Sequence, residues 1–447
     1  MAYTSLEFWI FLSAVLAGIA FLPASFRGVW LIAASLLFYA SDEPTRLLWL
    51  GFVVAVALAA ASVAQVAARA GGIAGLVALL IWAKFPDALG LPDPDGPPGL
   101  SFIVFTAVAF IAESARRGAV WGASDSVLHL VWFPKLLAGP IERPRTVIPQ
   151  FPSVALRPGL ARLGAVLVIS GLVKKLVIAD NLAPVVDAAY AIPAFATPVD
   201  LLVASYFFAF QIYCDFSGYA DIALGLSALV GLRLSRNFAH PYLSSTVGEF
   251  WSSRWHITLG HWFRDYVYVP LGGSRRGRAR QSANLLAVFL LSGLWHAGLG
   301  YGVGWGFLIW GALNGAIVIG ELWLPVPNRL LMRVLRALLT FHLILVTWVF
   351  FRAANPSDAI TILRRITSGL PDILRLLPSY PFSADQALGA ALILTLLAVE
   401  IASEPRPLAE RIGAARLPLR WAGLYAGMAA LLLMGRWQDT SFIYAGF

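Results

Sequence analysis

Two histidines stand where an imidazole could do chemistry. His296 ends the apolar run Asn284-Leu-Leu-Ala-Val-Phe-Leu-Leu-Ser-Gly-Leu-Trp-His296 and is followed by Ala297-Gly-Leu-Gly-Tyr-Gly-Val-Gly304. Glycines at every second position oppose a continuous helix, and broken backbone at membrane depth must be buried in protein or line a cavity. A helix starting near Asn284 carries His296 ~18 Å along its axis, into the middle of a hydrocarbon core about 30 Å thick. An ionisable side chain there is costly and marks a functional site by default. A neutral imidazole is the usual general base near neutral pH. The bland alternative is a buried histidine bonded to a backbone carbonyl.

His256 lies within Glu249-Phe-Trp-Ser-Ser-Arg-Trp-His-Ile-Thr-Leu-Gly-His-Trp-Phe-Arg-Asp-Tyr266. Read as one helix, this stretch stacks Trp251, Trp255, Leu259, Trp262 and Tyr266 on one stripe. Arg254, Thr258, His261 and Asp265 fall on an adjacent polar strip. That is an amphipathic helix at the membrane interface, and anchoring alone accounts for it. His256 falls on neither strip and is expected to point away from His261 and Asp265. The latter pair, at i and i+4, reads as a surface ion pair or hydrogen bond. Asp215 and Asp221 lie in an apolar setting, about 240° apart on a helix, with Gly218 as a candidate break between them. They read equally as the wall of a polar tunnel or as groups fixing a turn between two spans. His129, His240 and His342 read as structural.

The elements that carry these residues are set by composition. Of 447 residues, 59% are hydrophobic and only 13% charged, against roughly 25% in a soluble domain. With a mean hydropathy of +0.76, most of the outer surface must be apolar as well. Apolar cores at 8–22, 28–40, 47–69, 73–83, 100–112, 127–138, 160–179, 199–214, 220–232, 284–296, 303–323, 331–351, 387–402 and 419–435 predict an all-α polytopic membrane protein. About eleven transmembrane helices are expected, with one or two re-entrant or interfacial pieces, since several runs fall short of the ~20 residues of a full span. Met1–Leu22 lacks the basic start of a signal peptide and reads as a retained first span. The longest loops are expected at 86–99, 139–158, 233–283, 352–386 and 403–418. The net charge of +9 fits basic loops on the cytoplasmic side rather than nucleic-acid binding. Arg275, Arg276, Arg278 and Arg280 mark one such loop, and the acidic turn 92–99 belongs on the opposite side. A single cysteine, Cys214, excludes an intramolecular disulfide and a cysteine metal cluster.

The residues then form a recognisable set. Asn237-Phe-Ala-His-Pro-Tyr-Leu, Glu249-Phe-Trp, Arg254-Trp-His-Ile-Thr-Leu, Trp262-Phe-Arg-Asp-Tyr, Tyr268-Val-Pro-Leu-Gly-Gly273 and Gly293-Leu-Trp-His296 resemble the core of the membrane-bound O-acyltransferases, in particular the bacterial branch containing the alginate O-acetyltransferase membrane subunit. The likeness extends to Phe133-Pro-Lys-Leu-Leu-Ala-Gly-Pro-Ile141, Gly171-Leu-Val-Lys-Lys175, Tyr213-Cys-Asp-Phe-Ser-Gly-Tyr-Ala-Asp221, Trp348-Val-Phe-Phe-Arg-Ala353 and Phe442-Ile-Tyr. It implies one membrane domain over 1–447, with its core at 236–315, as a ring of helices around a central funnel in a bacterial inner membrane. It further implies His256 and His296 as the functional histidines, with Trp295, Arg254, Asp215, Asp221 and Asn314 lining the tunnel. No cofactor is expected to be tightly bound. The donor is a cytoplasmic acyl thioester, acetyl-coenzyme A or an acyl carrier protein, whose phosphates Arg275–Arg280 could attract. The implied partners are membrane lipids, an extracytoplasmic acetyltransferase of the SGNH-hydrolase type, and a polysaccharide acceptor such as alginate, cellulose, peptidoglycan or teichoic acid. Ala297 departs from the glycine that usually follows the second histidine, and Asn314 holds a place often occupied by histidine. A transporter and a scaffold for polysaccharide synthesis remain as rival readings.

Overall fold

A computed structural model of the chain describes residues 1–117, 121–297, 304–324, 330–404, 407–437 and 442–443. Among these the regular structure is helical throughout. Five helices are long and apolar enough to cross a membrane: Val66–Lys84, Pro198–Leu229, Leu331–Arg352, Ala384–Ser403 and Leu417–Met434. Five shorter apolar helices accompany them, at Leu6–Phe21, Ala24–Ala40, Arg46–Ser62, Leu100–Ser114 and Trp305–Glu321. These data identify a helical membrane protein. The helix Gly277–His296 has 20 residues but begins in the basic segment at Arg278 and Arg280.

Pro198–Leu229 is the axis of the molecule. Thr197 caps it by accepting a hydrogen bond from the Asp200 N–H, and Pro198 supplies a favourable first turn. The helix runs unbroken for 32 residues. This corrects the expectation of two segments, 199–214 and 220–232, with a break or turn at Gly218. In apolar surroundings a continuing helix satisfies every backbone group, whereas a turn orphans several. Gly218 serves packing instead. A Cβ built on it would stand 2.8 Å from the Gly171 carbonyl oxygen, and one on Gly171 would stand 2.5 Å from the Gly218 oxygen. Gly164 and Gly225 repeat this reciprocal approach two turns away, with Cβ contacts at 2.7 and 2.8 Å. The helix Pro158–Leu172 therefore lies backbone to backbone against the axis.

The stretch expected as one amphipathic helix, 249–266, is not one. It comprises a π-helical turn at Phe250–Arg254, a short helix Ile257–Phe263 and a second π turn at Arg264–Tyr268. Between the first two, His256 adopts the left-handed conformation, φ 44° and ψ 52°. The tryptophan stripe consequently turns inward: Trp255 and Trp262 are buried rather than presented to lipid. Wide turns and a left-handed residue both violate the 3.6-residue spacing on which the stripe was drawn. The loop expected at 352–386 likewise holds a helix, Pro356–Ser368, capped by Asn355, whose side chain accepts from the Asp358 N–H. At the periphery, Leu417–Met434 buries only Leu431.

The reciprocal glycine contacts predict that Gly218→Val destabilises the protein by about 1–3 kcal/mol through overpacking, seen as a lowered midpoint of thermal unfolding in detergent. Gly51→Val has open space within 4 Å of the added atom and is expected to leave that midpoint unchanged.

Candidate active site

The helix Gly277–His296 ends on the residue of interest. Ala297 N–H closes it on the carbonyls of Gly293 and Leu294, and the chain leaves at Ala297 in an extended conformation. The alternating glycines at 298, 300 and 302 lie outside the described residues. Asn284, expected near the helix start, lies seven residues inside it. Its Nδ2 donates to the Gly273 carbonyl at 2.9 Å and ties the glycine turn to the helix. The helix Trp305–Glu321 packs against this one across glycines. A Cβ on Gly293 would meet the Phe307 oxygen at 2.5 Å, and one on Gly311 would meet the Phe289 oxygen at 2.4 Å.

His296 is buried, its ring centre 4.4 Å from Trp295, 5.1 Å from Trp310 and 5.2 Å from Phe351. Its Nδ1 lies 2.7 Å from the Ser292 carbonyl oxygen. A carbonyl only accepts, so Nδ1 carries the proton, and in the neutral ring Nε2 holds the lone pair. The bland reading thus describes half of the ring correctly, and the bond it invokes orients the other nitrogen.

His256 arrives at the same tautomer by another route. Asn237 Oδ1 accepts from Thr258 N–H at 3.1 Å and from the Thr258 hydroxyl at 2.9 Å, and it lies 3.2 Å from His256 Nδ1. The backbone N–H can only donate, so the amide oxygen faces this cluster and His256 Nδ1 is the protonated nitrogen. His256 Nε2 is buried without a hydrogen-bond partner among the described residues. Phe102 stacks on the His256 ring at 5.9 Å and meets Trp295 edge-on at 6.1 Å. Two aromatic rings thus link the two imidazoles.

Both histidines line one cavity of about 320 Å3. Leu285, Val288, Phe289, Ser292 and His296 form one wall. Their i, i+3, i+4, i+7, i+11 spacing is a single helix face that runs about 16 Å from the basic end of the helix to His296. The two π turns supply the opposite wall through Trp251, Ser252, Arg264 and Tyr268. His261 lines the cavity too, so His256 and His261 open on a common space and do not point apart. Burial, then the Arg264 charge, holds the His261 imidazole below its ordinary value. Asp265 does not hydrogen-bond to it. Its carboxylate accepts from Arg143 and Arg264, both at 2.8 Å. Burial pushes that carboxyl up, but the Arg264 hydrogen bond and the Arg143 charge together draw it below its ordinary value.

The remaining candidates are placed differently. Trp295 backs His296. Asn314 sits behind the wall, accepting from Trp251 Nε1 at 2.9 Å and donating to the Trp310 carbonyl at 2.8 Å, so it orients the indole that faces the cavity. Arg254 faces away, paired with Glu249 at 2.7 Å and Glu404 at 2.8 Å. Asp215 accepts from Lys175 at 2.8 Å and Asp221 from Lys174 at 2.7 Å. Each lines a different, smaller or larger cavity, and the structure does not bring them to the histidines. Asn237 is the residue that spacing alone did not single out, although it stands within a quoted motif.

A family model for the membrane-bound O-acyltransferase family matches residues 109–327, which include both histidines. The chain is 31% identical over 375 residues to a probable alginate O-acetylase of Pseudomonas fluorescens, covering 79% of this chain and 73% of that one. It belongs to the membrane-bound O-acyltransferase family. It is also 37% identical over 268 residues to a probable alginate O-acetylase of Azotobacter vinelandii, covering 58% of this chain and 51% of that one. A peptidoglycan O-acetyltransferase of Helicobacter pylori is 36% identical over 247 residues, covering 54% and 46%. The chain therefore spans about half the length of several relatives it matches.

Asn237→Ala removes one acceptor from three donors at once. The buried Thr258 N–H is left unsatisfied, at a cost of about 1–3 kcal/mol. A lowered thermal midpoint with His296 still packed, read by unchanged accessibility of a cysteine placed at Ser292, is the expected result.

Proposed function

We propose that this protein transfers an acyl group, acetyl in the first instance, from a cytoplasmic thioester toward a hydroxyl on an extracytoplasmic polysaccharide, with His296 as general base. The observation that carries the reading is the shared cavity, in which His256 and His296 each hold Nδ1 protonated and leave Nε2 as the basic nitrogen. An acceptor hydroxyl gives its proton to His296 Nε2 as its oxygen attacks the thioester carbonyl. The C–S bond breaks, and the departing thiolate takes the proton back from the imidazolium. His256 positions donor or acceptor across the cavity, and its Nε2 suits either a hydroxyl or the proton in transit.

The sidedness follows from charge. The cavity wall starts beside the exposed Arg275, Arg276, Arg278 and Arg280, which mark the cytoplasmic face and suit the phosphates of coenzyme A or of a carrier-protein arm. His296 then stands near mid-depth, and the acceptor reaches it from the other side. Taken with the ten apolar helices, Gly277–His296 gives eleven crossings around a central funnel. The relatives named for alginate and peptidoglycan favour a polysaccharide acceptor in a bacterial inner membrane. Completion by a separate extracytoplasmic acetyltransferase of the SGNH-hydrolase type belongs to the same proposal.

His296→Ala is expected to lower acetyl transfer in the native host by about 10²–10⁴-fold, the usual worth of a general base, with protein levels unchanged. Exopolysaccharide acetylated to the normal extent by that variant would overturn the assignment. A photoreactive coenzyme A analogue applied to oriented vesicles is expected to label the chain only from the face that carries Arg275–Arg280.

A further inference from the structure

A second cavity, of about 590 Å3, lies on the far side of the central helix and includes neither His256 nor His296. It is bounded by Pro158–Leu172, Ala384–Ser403 and Leu417–Met434. Its chemistry is ordered along its length. Leu392, Leu396, Val399, Glu400 and Ser403 line it from one helix face, spread over about 16 Å. The Leu392 end is apolar, closed by Val177, Ala430 and Met434. The polar lining includes Glu400 and His240, the arginines Arg233 and Arg236, and the exposed Glu410.

Two of these groups carry buried atoms without a hydrogen-bond partner among the described residues. Glu400 is 4% exposed. Its Oε1 accepts from the Tyr213 hydroxyl, but Oε2 has no hydrogen-bond partner among the described residues. Both ring nitrogens of His240 are buried and unpartnered as well, Nδ1 lying 3.6 Å from Glu400 Oε1, beyond hydrogen-bond reach. A buried carboxylate oxygen without a donor is costly and calls for one. The neighbouring Lys174 does not supply it, because its ammonium is held by Asp221 at 2.7 Å. Arg233 and Arg236 are exposed and line the same cavity, and neither is paired with a carboxylate among the described residues.

We propose that this cavity binds a single-chain glycerophospholipid, a lysophospholipid. Its order of groups matches the order of the lining. The tail lies along Leu392 and Leu396, a free glycerol hydroxyl donates to Glu400 Oε2 beside His240, and the phosphate meets Arg233 and Arg236. A diacyl lipid has both glycerol oxygens esterified between tail and phosphate, so it brings no donor to Glu400. The site is separate from the acyl-transfer cavity and does not depend on the function proposed for it.

The test is a native mass-spectrometric titration of the full chain in detergent with four probes. These are oleoyl lysophosphatidate, oleyl phosphate (no hydroxyl), monooleoylglycerol (no phosphate) and dioleoyl phosphatidate (no free hydroxyl). Lysophosphatidate is expected to bind at least tenfold more tightly than each of the others. In the double variant R233A/R236A, whose side chains are exposed, its affinity is expected to fall to that of monooleoylglycerol, which itself stays unchanged. A lysophosphatidate with a photoreactive tail is expected to label Leu392–Val399. Equal binding of all four probes, or labelling confined to the Leu285–His296 wall, overturns the proposal. Glu400→Leu is expected to bring lysophosphatidate down to the level of oleyl phosphate; should that variant fail to fold, the four-probe comparison on the unaltered chain decides alone.

Discussion

Asn237 Oδ1 accepts from Thr258 N–H, Thr258 Oγ1–H and His256 Nδ1–H, and the local architecture of the histidine cavity depends on it. Lipid offers no hydrogen bonds, so a chain that leaves the helical path within a membrane protein must find partners for its own backbone. Between Phe250 and Tyr268 the chain leaves that path three times, at two π turns and at the left-handed His256. A left-handed non-glycine residue costs of order 1–3 kcal/mol and persists only where the surroundings over-determine it. Here they do. Ile257 N–H donates to the Asn237 carbonyl at 2.9 Å, and Ala239 N–H donates to the Arg254 carbonyl at 2.9 Å. The two strips are thereby stitched together on both sides of the kink. Thr258 Oγ1 in turn accepts from Ile141 N–H at 3.0 Å, which joins the 139–142 segment to the same node.

The second wall is held by a different device. His296 needs no kink, because its helix simply ends there. What it needs is a neighbour close enough to exclude lipid and water from the ring, and the glycine contacts of Gly293 with Phe307 and Gly311 with Phe289 provide that approach. Trp310, Phe351 and Trp295 then surround the imidazole. Asn314 completes the wall from behind by fixing the Trp251 indole. One histidine is thus placed by backbone hydrogen bonds around a kink, the other by helix packing, and the two meet across a cavity that neither element encloses alone.

These two devices differ in how far they can be read from sequence. The helix-borne wall is legible. The apolar run to His296, the i, i+4 bond to a carbonyl and the single face of Leu285, Val288, Phe289 and Ser292 all follow from 3.6-residue periodicity. The kinked wall is not. A π turn adds a residue to the repeat, and a left-handed residue resets it, so the stripe drawn through Trp251, Trp255 and Tyr266 assigns the wrong faces, and His256 and His261 are expected to diverge where they converge. The contacts of Asp215 and Asp221 are a related case. Their partners, Lys175 and Lys174, come from the π-helical segment Val173–Ala179, where successive lysines reach carboxylates six residues apart on the axis. That pairing is tertiary, and no local pattern announces it.

The pairing also bears on which polar groups are available for chemistry. The buried Asp215 carboxylate, which holds the Lys175 ammonium at 2.8 Å, is committed, since breaking that pair leaves an uncompensated charge worth about 3–5 kcal/mol. Lys174 and Lys175 tie the Val173–Ala179 segment to the central helix and are spent on that task. The two imidazoles are different in kind. Each uses Nδ1 to fix its ring, and both residues line the space between the walls. An imidazole whose Nδ1 is held by a fixed acceptor differs in this from the Asp215 carboxylate, which is spent on an ammonium.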